Sequence, residues 1–292
     1  MRLGYNTNGL AHHRLDDALR LLADLGYEGV AITLDVGHLD PLRATAAEVE
    51  SVRALCERLG LAVAVETGAR FVLDPARKHF PTLLEDAAED RARRVEFLVR
   101  SARIAADLGA GVVSIWSGRA PRGCTGDGPD PSGANEPEWE RLTRGVAEVL
   151  ERTEPFGVTL AFEPEPGMFV ERPIGFHVLR RRLERAGAPL QRFALTLDVG
   201  HLLCTGDLPV ERAIAEAAPH LAHVHLDDVA DGVHVHRMFG EGDLDLPATL
   251  LTLREVGFSG MAAVELSRDS HRGAEAAAEA LRHLRGPGPA RW

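Results

Sequence analysis

Eight short runs of apolar and β-branched residues alternate with longer amphipathic segments along this chain. The runs are apolar nearly throughout, as parallel strands buried on both faces must be. The segments between them show helical periodicity, and in 15–25 the apolar positions share one face. Eight such units in 292 residues favour one closed (β/α)₈ barrel, a TIM barrel of the α/β class. The predicted strands are 2–6, 29–35, 61–67, 111–117, 158–164, 193–199, 222–227 and 261–266.

Two insertions interrupt the alternation of predicted strands and helices, at 68–90 and at 118–137. The second is rich in glycine, proline and aspartate. Both follow the C-terminal end of a predicted strand, which is the face where barrel enzymes build their active sites. We therefore predict a single domain over residues 1–285, with the two insertions near its functional face and a flexible tail at 286–292.

Composition narrows the classes of partner. The formal net charge is −11, and such a surface repels the phosphate backbone, so we expect no nucleic-acid partner. The sequence shows neither an apolar run of membrane-spanning length nor the apolar core of a secretory signal, which predicts a cytoplasmic protein without a membrane partner. Three sparsely spaced cysteines are typical of reduced thiols. The sequence is compatible with both a monomer and a homo-oligomer.

The heptapeptide TLDVGHL occurs twice, at 33–39 and at 196–202. In both copies an apolar strand body is followed by an aspartate, a glycine and a histidine. The flanking helices and loop lengths do not match, which argues against a recent duplication of half a barrel. We interpret the repeat as coincidence combined with similar demands on the second and sixth strands.

Four consecutive predicted strands end in side chains that can bind metal. The fifth ends at Glu163, the sixth at Asp198, the seventh at His225 and the eighth at Glu265. Three carboxylates and an imidazole converging on one rim would repel each other strongly without a cation. We therefore predict a site for Mn²⁺, Zn²⁺ or Mg²⁺, the alternative being solvated rim residues and helix caps.

The segments LAFEPEPG, LTLDVGH, HVHLDD and FGEGDLDLPATLLTLREVGFSGMAAVEL resemble the xylose-isomerase-like superfamily of barrels. That superfamily contains sugar and sugar-phosphate isomerases and epimerases, ketose 3-epimerases, inosose dehydratases and apurinic endonucleases. The resemblance covers almost the whole chain. It implies that the quartet of strand-end residues binds one divalent ion, that Glu163 and Glu265 also form an acid/base pair, and that His201 contacts a substrate oxygen.

The segment HRMFGEG resembles the part of the apurinic endonucleases whose histidine ligates an additional zinc. The corresponding set here is His201, His234 and His236, which would form a second metal site. The alternative is that His234 and His236 bind substrate oxygens or phosphate. Endonuclease activity itself fits poorly, because the third and fourth strands run into VETGAR and IWSGRA, without the histidines of that family, and because the surface is acidic.

Further candidates for substrate binding lie at other strand ends. Asp35 and Glu66 come from the second and third strands, and Trp116 at the fourth could stack on a sugar ring. Arg268, with Arg70 and Arg119, could bind phosphate or carboxylate. Asp35 is expected not to ligate metal, because the second strand lies across the barrel from the sixth.

These observations predict a divalent-metal-dependent isomerase or epimerase that acts on a sugar, sugar phosphate or cyclitol ketone through an enediolate. One metal site is expected, and a second stays open. Two alternatives remain at this point. One is a dinuclear metal-dependent hydrolase of a small phosphoester, and the other is a barrel that holds its metal but serves as a non-catalytic binding protein.

Overall fold

Eight parallel strands close into a barrel, which confirms the fold expected from the sequence. The computed structural model describes residues 1–120, 124–127 and 133–286. The strands pair in chain order, and the last returns to the first. They are β1 (Arg2–Asn6), β2 (Gly29–Thr33), β3 (Ala62–Glu66), β4 (Val112–Trp116), β5 (Thr159–Glu163), β6 (Phe193–Asp198), β7 (Leu221–Leu226) and β8 (Met261–Val264).

Helices follow the strands and bury their apolar faces against the barrel wall. In the described ranges they are α1 (Leu15–Leu25), α2 (Ala46–Leu59), α3 (Ala88–Asp107), α4 (Glu136–Thr153), α5 (Pro173–Arg185), α6 (Val199–Thr205), α7 (Val210–Ala217), α8 (Leu246–Glu255) and α9 (Gly273–Arg285). Within the part of the chain that the structure describes, none of these helices has the length and apolar character needed to cross a membrane.

The register of the sheet brings the functional strand ends to one level. Trp116 pairs with Glu163 across β4 and β5, and Asp198 pairs with His225 across β6 and β7. A register shift midway along β6 precedes the second of these pairings. Side chains from four neighbouring strands therefore meet at the C-terminal rim.

The opposite end of the barrel is closed by Met261, the first residue of β8. A Cβ atom on Gly4 would lie 2.6 Å from the sulfur of Met261, and one on Gly29 would lie 2.5 Å from its terminal methyl carbon. The methionine thus occupies the room that these two glycines leave. Three buried alanines complete this layer: Ala31, Ala64 and Ala263.

The two copies of TLDVGHL adopt different structures. In the first, β2 ends at Thr33, two residues earlier than predicted, and Asp35 and His38 form an antiparallel bridge around a turn. In the second, β6 continues to Asp198, which caps the helix that starts at the next residue. The sequences after the two copies also differ, since Pro41 comes soon after the first and disfavours a helical conformation at the residue before it.

The connections at the predicted insertions are long. One joins β3 to α3 and contains a buried stretch, Thr82–Glu85, and the other joins β4 to α4. Of the predicted insertion at 118–137, residues 121–123 and 128–132 lie outside the described residues. Of the predicted tail at 286–292, all but the first residue lie outside them.

Candidate active site

A cavity of about 550 Å³ opens at the C-terminal ends of the strands. Its lining is polar and rich in groups that can bind metal or exchange protons. Among the described residues, seven of the chain's 13 histidines line it, namely His12, His79, His201, His225, His234, His236 and His271. Four glutamates join them, namely Glu66, Glu163, Glu165 and Glu265.

The quartet predicted from the strand ends converges at this cavity, and all its members except Asp198 belong to the lining. One ligand atom from each of Glu163, Asp198, His225 and Glu265 lies within 4.8 Å of the others. Nδ1 of His225 is 3.0 Å from a carboxylate oxygen of Glu163 and 3.0 Å from one of Glu265. It is 3.9 Å from Oδ2 of Asp198. The arrangement could hold a single ion between four donors.

The chemistry of these donors fits a divalent cation. Asp198 uses Oδ1 to accept a hydrogen bond of 3.0 Å from the backbone N–H of His201, whereas Oδ2 is buried without a hydrogen-bond partner. Burial, and after it the charge of Asp227, raises the pKa of Asp198 well above its usual value. A bound cation would satisfy the orphaned oxygen and offset the cost of burying several carboxylates together.

Glu66 holds the other side of the His225 ring. Its Oε1 lies 3.1 Å from Nε2 of His225 and 3.1 Å from Nε2 of His223. Burial favours a higher pKa for Glu66, but the charge of His225 and the contacts with both histidines outweigh it and lower the pKa to about 2. The carboxylate can therefore accept the Nε2 proton. Burial acts against charge on His225, but the surrounding glutamates, Glu163 first, outweigh it and raise the pKa of His225 well above its usual value. A bound cation would take the place of the Nδ1 proton while Glu66 keeps the Nε2 proton in place.

A second group of imidazoles lies beside the quartet. His201, His234 and His236 each offer a nitrogen within 4.8 Å of the other two. Nε2 of His201 is 3.1 Å from Nε2 of His234 and 3.6 Å from Oδ2 of Asp198. Burial and the neighbouring imidazoles lower the pKa of His201 well below its usual value and that of His234 to about 4. Both rings are therefore neutral at pH 7 and can donate a lone pair.

Backbone and carboxylate groups orient two of these rings. Nδ1 of His201 lies 3.1 Å from the carbonyl oxygen of Pro164, so it can donate to that oxygen while Nε2 faces the cavity. Nδ1 of His236 donates to Asp227 at 2.7 Å. Burial acts against charge on His236, but Asp227 outweighs it and raises the pKa of His236 to about 10. Asp198, Asp227 and His236 themselves form a further group of potential ligands.

Of the other residues predicted to bind substrate, the structure brings all but Asp35 and Arg119 to the cavity. Trp116 and Arg268 line the cavity, and the Trp116 ring meets His79 edge-on with centroids 5.0 Å apart. Glu66 lines the cavity as well, although its carboxylate is engaged by the histidines of β7. Asp35 forms an ion pair of 3.5 Å with Arg70. It belongs neither to the lining nor to any ligand group found among the described residues.

The sequence analysis missed several site residues, among them His223, Asn8, Glu165 and Asp227. Asn8, which follows β1, donates from Nδ2 to Oε1 of Glu265 at 2.6 Å. Glu165 faces the cavity, and burial together with the charges of nearby carboxylates raises its pKa to about 8. Asp227 is fully buried behind His236. Glu165 lies inside the segment AFEPEPG and Asp227 inside HVHLDD. Each is two residues from a predicted metal ligand, and this short spacing could have indicated that they belong to the site.

Known proteins resemble this chain in sequence and in fold. The family model of the xylose isomerase-like TIM barrel matches residues 19–286. L-ribulose-5-phosphate 3-epimerase UlaE of Shigella flexneri is 28% identical over 257 residues, covering 86% of this chain and 81% of that protein. A solved L-ribulose 3-epimerase superposes with a TM-score of 0.75 at 19% identity, covering 97% of this chain and 93% of that one. The IolI protein, solved with a bound zinc atom, superposes with a TM-score of 0.73 at 18% identity, covering 97% of this chain and 96% of that one.

The chain belongs to the xylose isomerase-like TIM barrel family, because the family model spans most of its length. This confirms the resemblance drawn from the sequence. The solved structures share the fold along nearly the whole chain.

We predict that Asp198→Asn weakens the affinity for a divalent ion by about 100-fold or more, above the ~10–100-fold typical of residues that only support a ligand. Asparagine caps helices as well as aspartate does, so α6 should keep its N-terminus while the site loses a charge. Chelator competition measures the affinity. The matched control is Asp245→Asn, because Asp245 caps α8 in the same manner, accepting from the N–H of Ala248 at 2.9 Å. An unchanged affinity in Asp198→Asn would contradict the assignment.

We predict that Glu66→Ala lowers metal affinity by roughly 10–100-fold without removing a ligand, because the His225 ring loses the group that fixes its tautomer. Glu66→Gln should have a smaller effect, since its amide oxygen can still accept the Nε2 proton. Both affinities are measured in the same chelator competition. Equal affinities for Glu66→Ala and the unmodified protein would show that Glu66 does not position His225.

Proposed function

We propose that this protein is a divalent-metal-dependent isomerase or epimerase that acts on a sugar, sugar phosphate or cyclitol ketone through an enediolate. One observation carries the proposal. Glu163 from β5 and Glu265 from the end of β8 each place a carboxylate oxygen 3.0 Å from Nδ1 of His225 while lining the same cavity. Two carboxylates around one metal site suit a reaction in which a proton leaves carbon and returns to it.

Glu163 and Glu265 would serve as the acid/base pair as well as ligands. They come from strands that β6 and β7 separate, so a carbon atom held between them could lose its proton to one and regain a proton from the other. Asn8 restrains Glu265 through the hydrogen bond to Oε1, and the hydroxyl of Ser114 lies 3.4 Å from Oε2 of Glu163. These contacts limit the rotation of both carboxylates and keep them aimed at the substrate.

A bound divalent ion would supply positive charge next to the substrate oxygens and so stabilise the negative charge that develops on deprotonation. His201 lines the cavity beside the quartet and would contact a substrate oxygen through Nε2. Trp116 would form an apolar wall for the carbon skeleton, since its ring is held in place by His79.

The relatives support this choice of chemistry. L-ribulose-5-phosphate 3-epimerase and L-ribulose 3-epimerase are names of enzymes that act on ketoses, and the zinc atom in the IolI structure supports a divalent ion in a barrel of this fold. We propose a small-molecule sugar or polyol as the substrate of this chain and Mn²⁺, Zn²⁺ or Mg²⁺ as its ion.

The proposal predicts solvent exchange at carbon. Protein loaded with Mg²⁺ or Zn²⁺ and incubated in D₂O with a panel of ketoses and ketose phosphates should replace a carbon-bound proton by deuterium and form an epimer or isomer, both observable by NMR. Glu163→Gln and Glu265→Gln should each slow this exchange by roughly 10²–10⁴-fold, the usual contribution of a positioned acid or base.

Two controls keep the exchange experiment interpretable. Metal occupancy is measured for each variant under saturating ion, because both glutamates are also candidate ligands. Glu140→Gln, on the exposed face of α4, removes the same charge away from the cavity and should leave the rate unchanged. Fully loaded protein that exchanges no substrate proton would contradict the proposal and support a non-catalytic, metal-holding binding protein.

A dinuclear hydrolase of a small phosphoester is the second candidate, and the three-histidine group favours it. Nε2 of His201 is close both to His234 and to Asp198, so two ions could share Asp198 between them. This candidate predicts two zinc ions per chain near neutral pH, a drop to one in His234→Ala, and release of phosphate from small phosphoesters. His177→Ala on α5 is the control. A stoichiometry of one with both Zn²⁺ and Mn²⁺ would exclude the dinuclear site.

A further inference from the structure

Lys78 is the one lysine in the sequence, among 33 basic residues in all. The other 32 of these residues are arginines. The lysine lies in the connection between β3 and α3 and lines the cavity. Only two of the arginines in the described residues share that lining, Arg70 and Arg268.

Lysine and arginine are chemically different binders. The ammonium group is a compact point charge with three rotatable donors, whereas guanidinium is a rigid planar fork that binds carboxylate or phosphate through two parallel hydrogen bonds. A phosphoryl group presents oxygens in a tetrahedral array, and lysine is a common ligand for it. A lysine at the cavity mouth therefore adds a mobile point charge to the two guanidinium groups that line the same cavity.

The ammonium of Lys78 is available to a ligand. The side chain is exposed, and within the described ranges it forms no hydrogen bond or ion pair. The guanidinium of Arg268 is likewise exposed and has no partner within those ranges. Arg70 is partly engaged by Asp35, at a separation of 3.5 Å.

The two loops that carry these cations meet at the backbone carbonyl of Asn8, next to Glu265 of the quartet. The guanidinium of Arg70 lies 3.5 Å from the carbonyl oxygen of Asn8, and the hydroxyl of Ser270 donates to the same oxygen at 2.8 Å. Ser270 lies two residues after Arg268, so the β3–α3 and β8–α9 connections approach each other here. The side chain of Asn8 in turn holds Glu265. The cationic rim thus adjoins the catalytic glutamate.

Charge is separated by depth in this cavity. Carboxylates occupy the floor, where a divalent ion would offset them, and the cations occupy the rim. A substrate with a neutral, oxygen-rich end and an anionic end would match both levels in one orientation only. A phosphate monoester carries about −1.5 to −2 charges at neutral pH, which suits more than one cation.

We propose that Lys78, together with Arg70 and Arg268, binds the phosphate group of a phosphorylated ketose whose carbonyl end faces the quartet. This inference rests on the proposed isomerase or epimerase function and selects the sugar phosphates from its substrate classes. Ion pairing at the rim fixes which end of the substrate enters first and so which carbon reaches Glu163 and Glu265.

A lone lysine makes the test specific. Reductive ¹³C-methylation of the zinc-loaded protein labels one ε-amino group and the α-amino group of Met1, and it keeps the positive charge of both. Inorganic phosphate should shift the ε-dimethylamino resonance in a saturable manner and leave the α-amino resonance in place. Acetate at the same concentrations should shift it far less. Equal responses to acetate and phosphate, or no response to phosphate, would overturn the phosphate assignment.

Affinity measurements extend the test to variants. Calorimetric titration with inorganic phosphate should show at least a tenfold weaker Kd for Lys78→Met and for Arg268→Met. Arg181→Met, on the exposed face of α5, is the control and should bind phosphate as the unmodified protein does. Unchanged affinities in Lys78→Met and Arg268→Met would overturn the proposed site.

Kinetics separate this inference from the proposed function. The ratio of kcat/KM for a phosphorylated ketose to that for the same ketose without phosphate should fall at least tenfold in Lys78→Met, mainly through KM, and Lys78→Arg should restore part of it. Activity on the neutral ketose alone would leave the proposed function standing and overturn the phosphate subsite. Phosphate binding without turnover of either ketose would contradict the proposed function while supporting the subsite.

Discussion

The contact between His225 and carboxylates from three other parts of the barrel is the interaction on which this site depends. Glu66 lies against one nitrogen of the ring, and Glu163 and Glu265 lie against the other. Because Glu66 accepts the proton of one nitrogen, a bound cation could replace the proton on the other nitrogen, which faces Glu163 and Glu265. The barrel limits the loss of stability from this arrangement because each carboxylate reaches the centre from a rigid strand end rather than from a mobile loop.

Two residues at the rim combine a structural contact with a position in the proposed metal site. Asp198 starts α6 with one oxygen and leaves the other without a partner at the centre of the quartet. Asn8 supports Glu265 with its side chain and joins two loops through its backbone carbonyl. The site is therefore built into the frame of the barrel, and truncation of either side chain to alanine would remove a folding contact and a site contact together.

The barrel and the position of the quartet could be predicted because both follow from the order of the strands along the chain. Parallel strands that pair in sequence place their C-terminal ends on one rim, so Glu163, Asp198 and His225 had to be neighbours. The contact of Glu66 with His225 was not predictable in that way, since it crosses the barrel and depends on how deep each side chain lies. Strand alternation could have indicated His223, because it shares a face with His225.

Other site residues depend on loop geometry, which periodicity does not encode. Glu165 and Asp227 lie beside predicted ligands, but whether such a neighbour faces the cavity or the wall is decided by the turn after the strand. The prediction that Asp35 lies near substrate also depended on loop geometry. β2 ends before Asp35, and the turn that follows directs its carboxylate towards Arg70.

The two structures of one heptapeptide bear on how such barrels are compared. An alignment of the first half of the chain with the second would superpose Asp35 on Asp198 with complete local identity. It would transfer the ligand role proposed for Asp198 to a residue that forms an ion pair. Local identity is therefore poor evidence of shared ancestry or shared chemistry within this fold. The strand on which a residue sits, and the element that begins after it, give the more dependable equivalence between barrels.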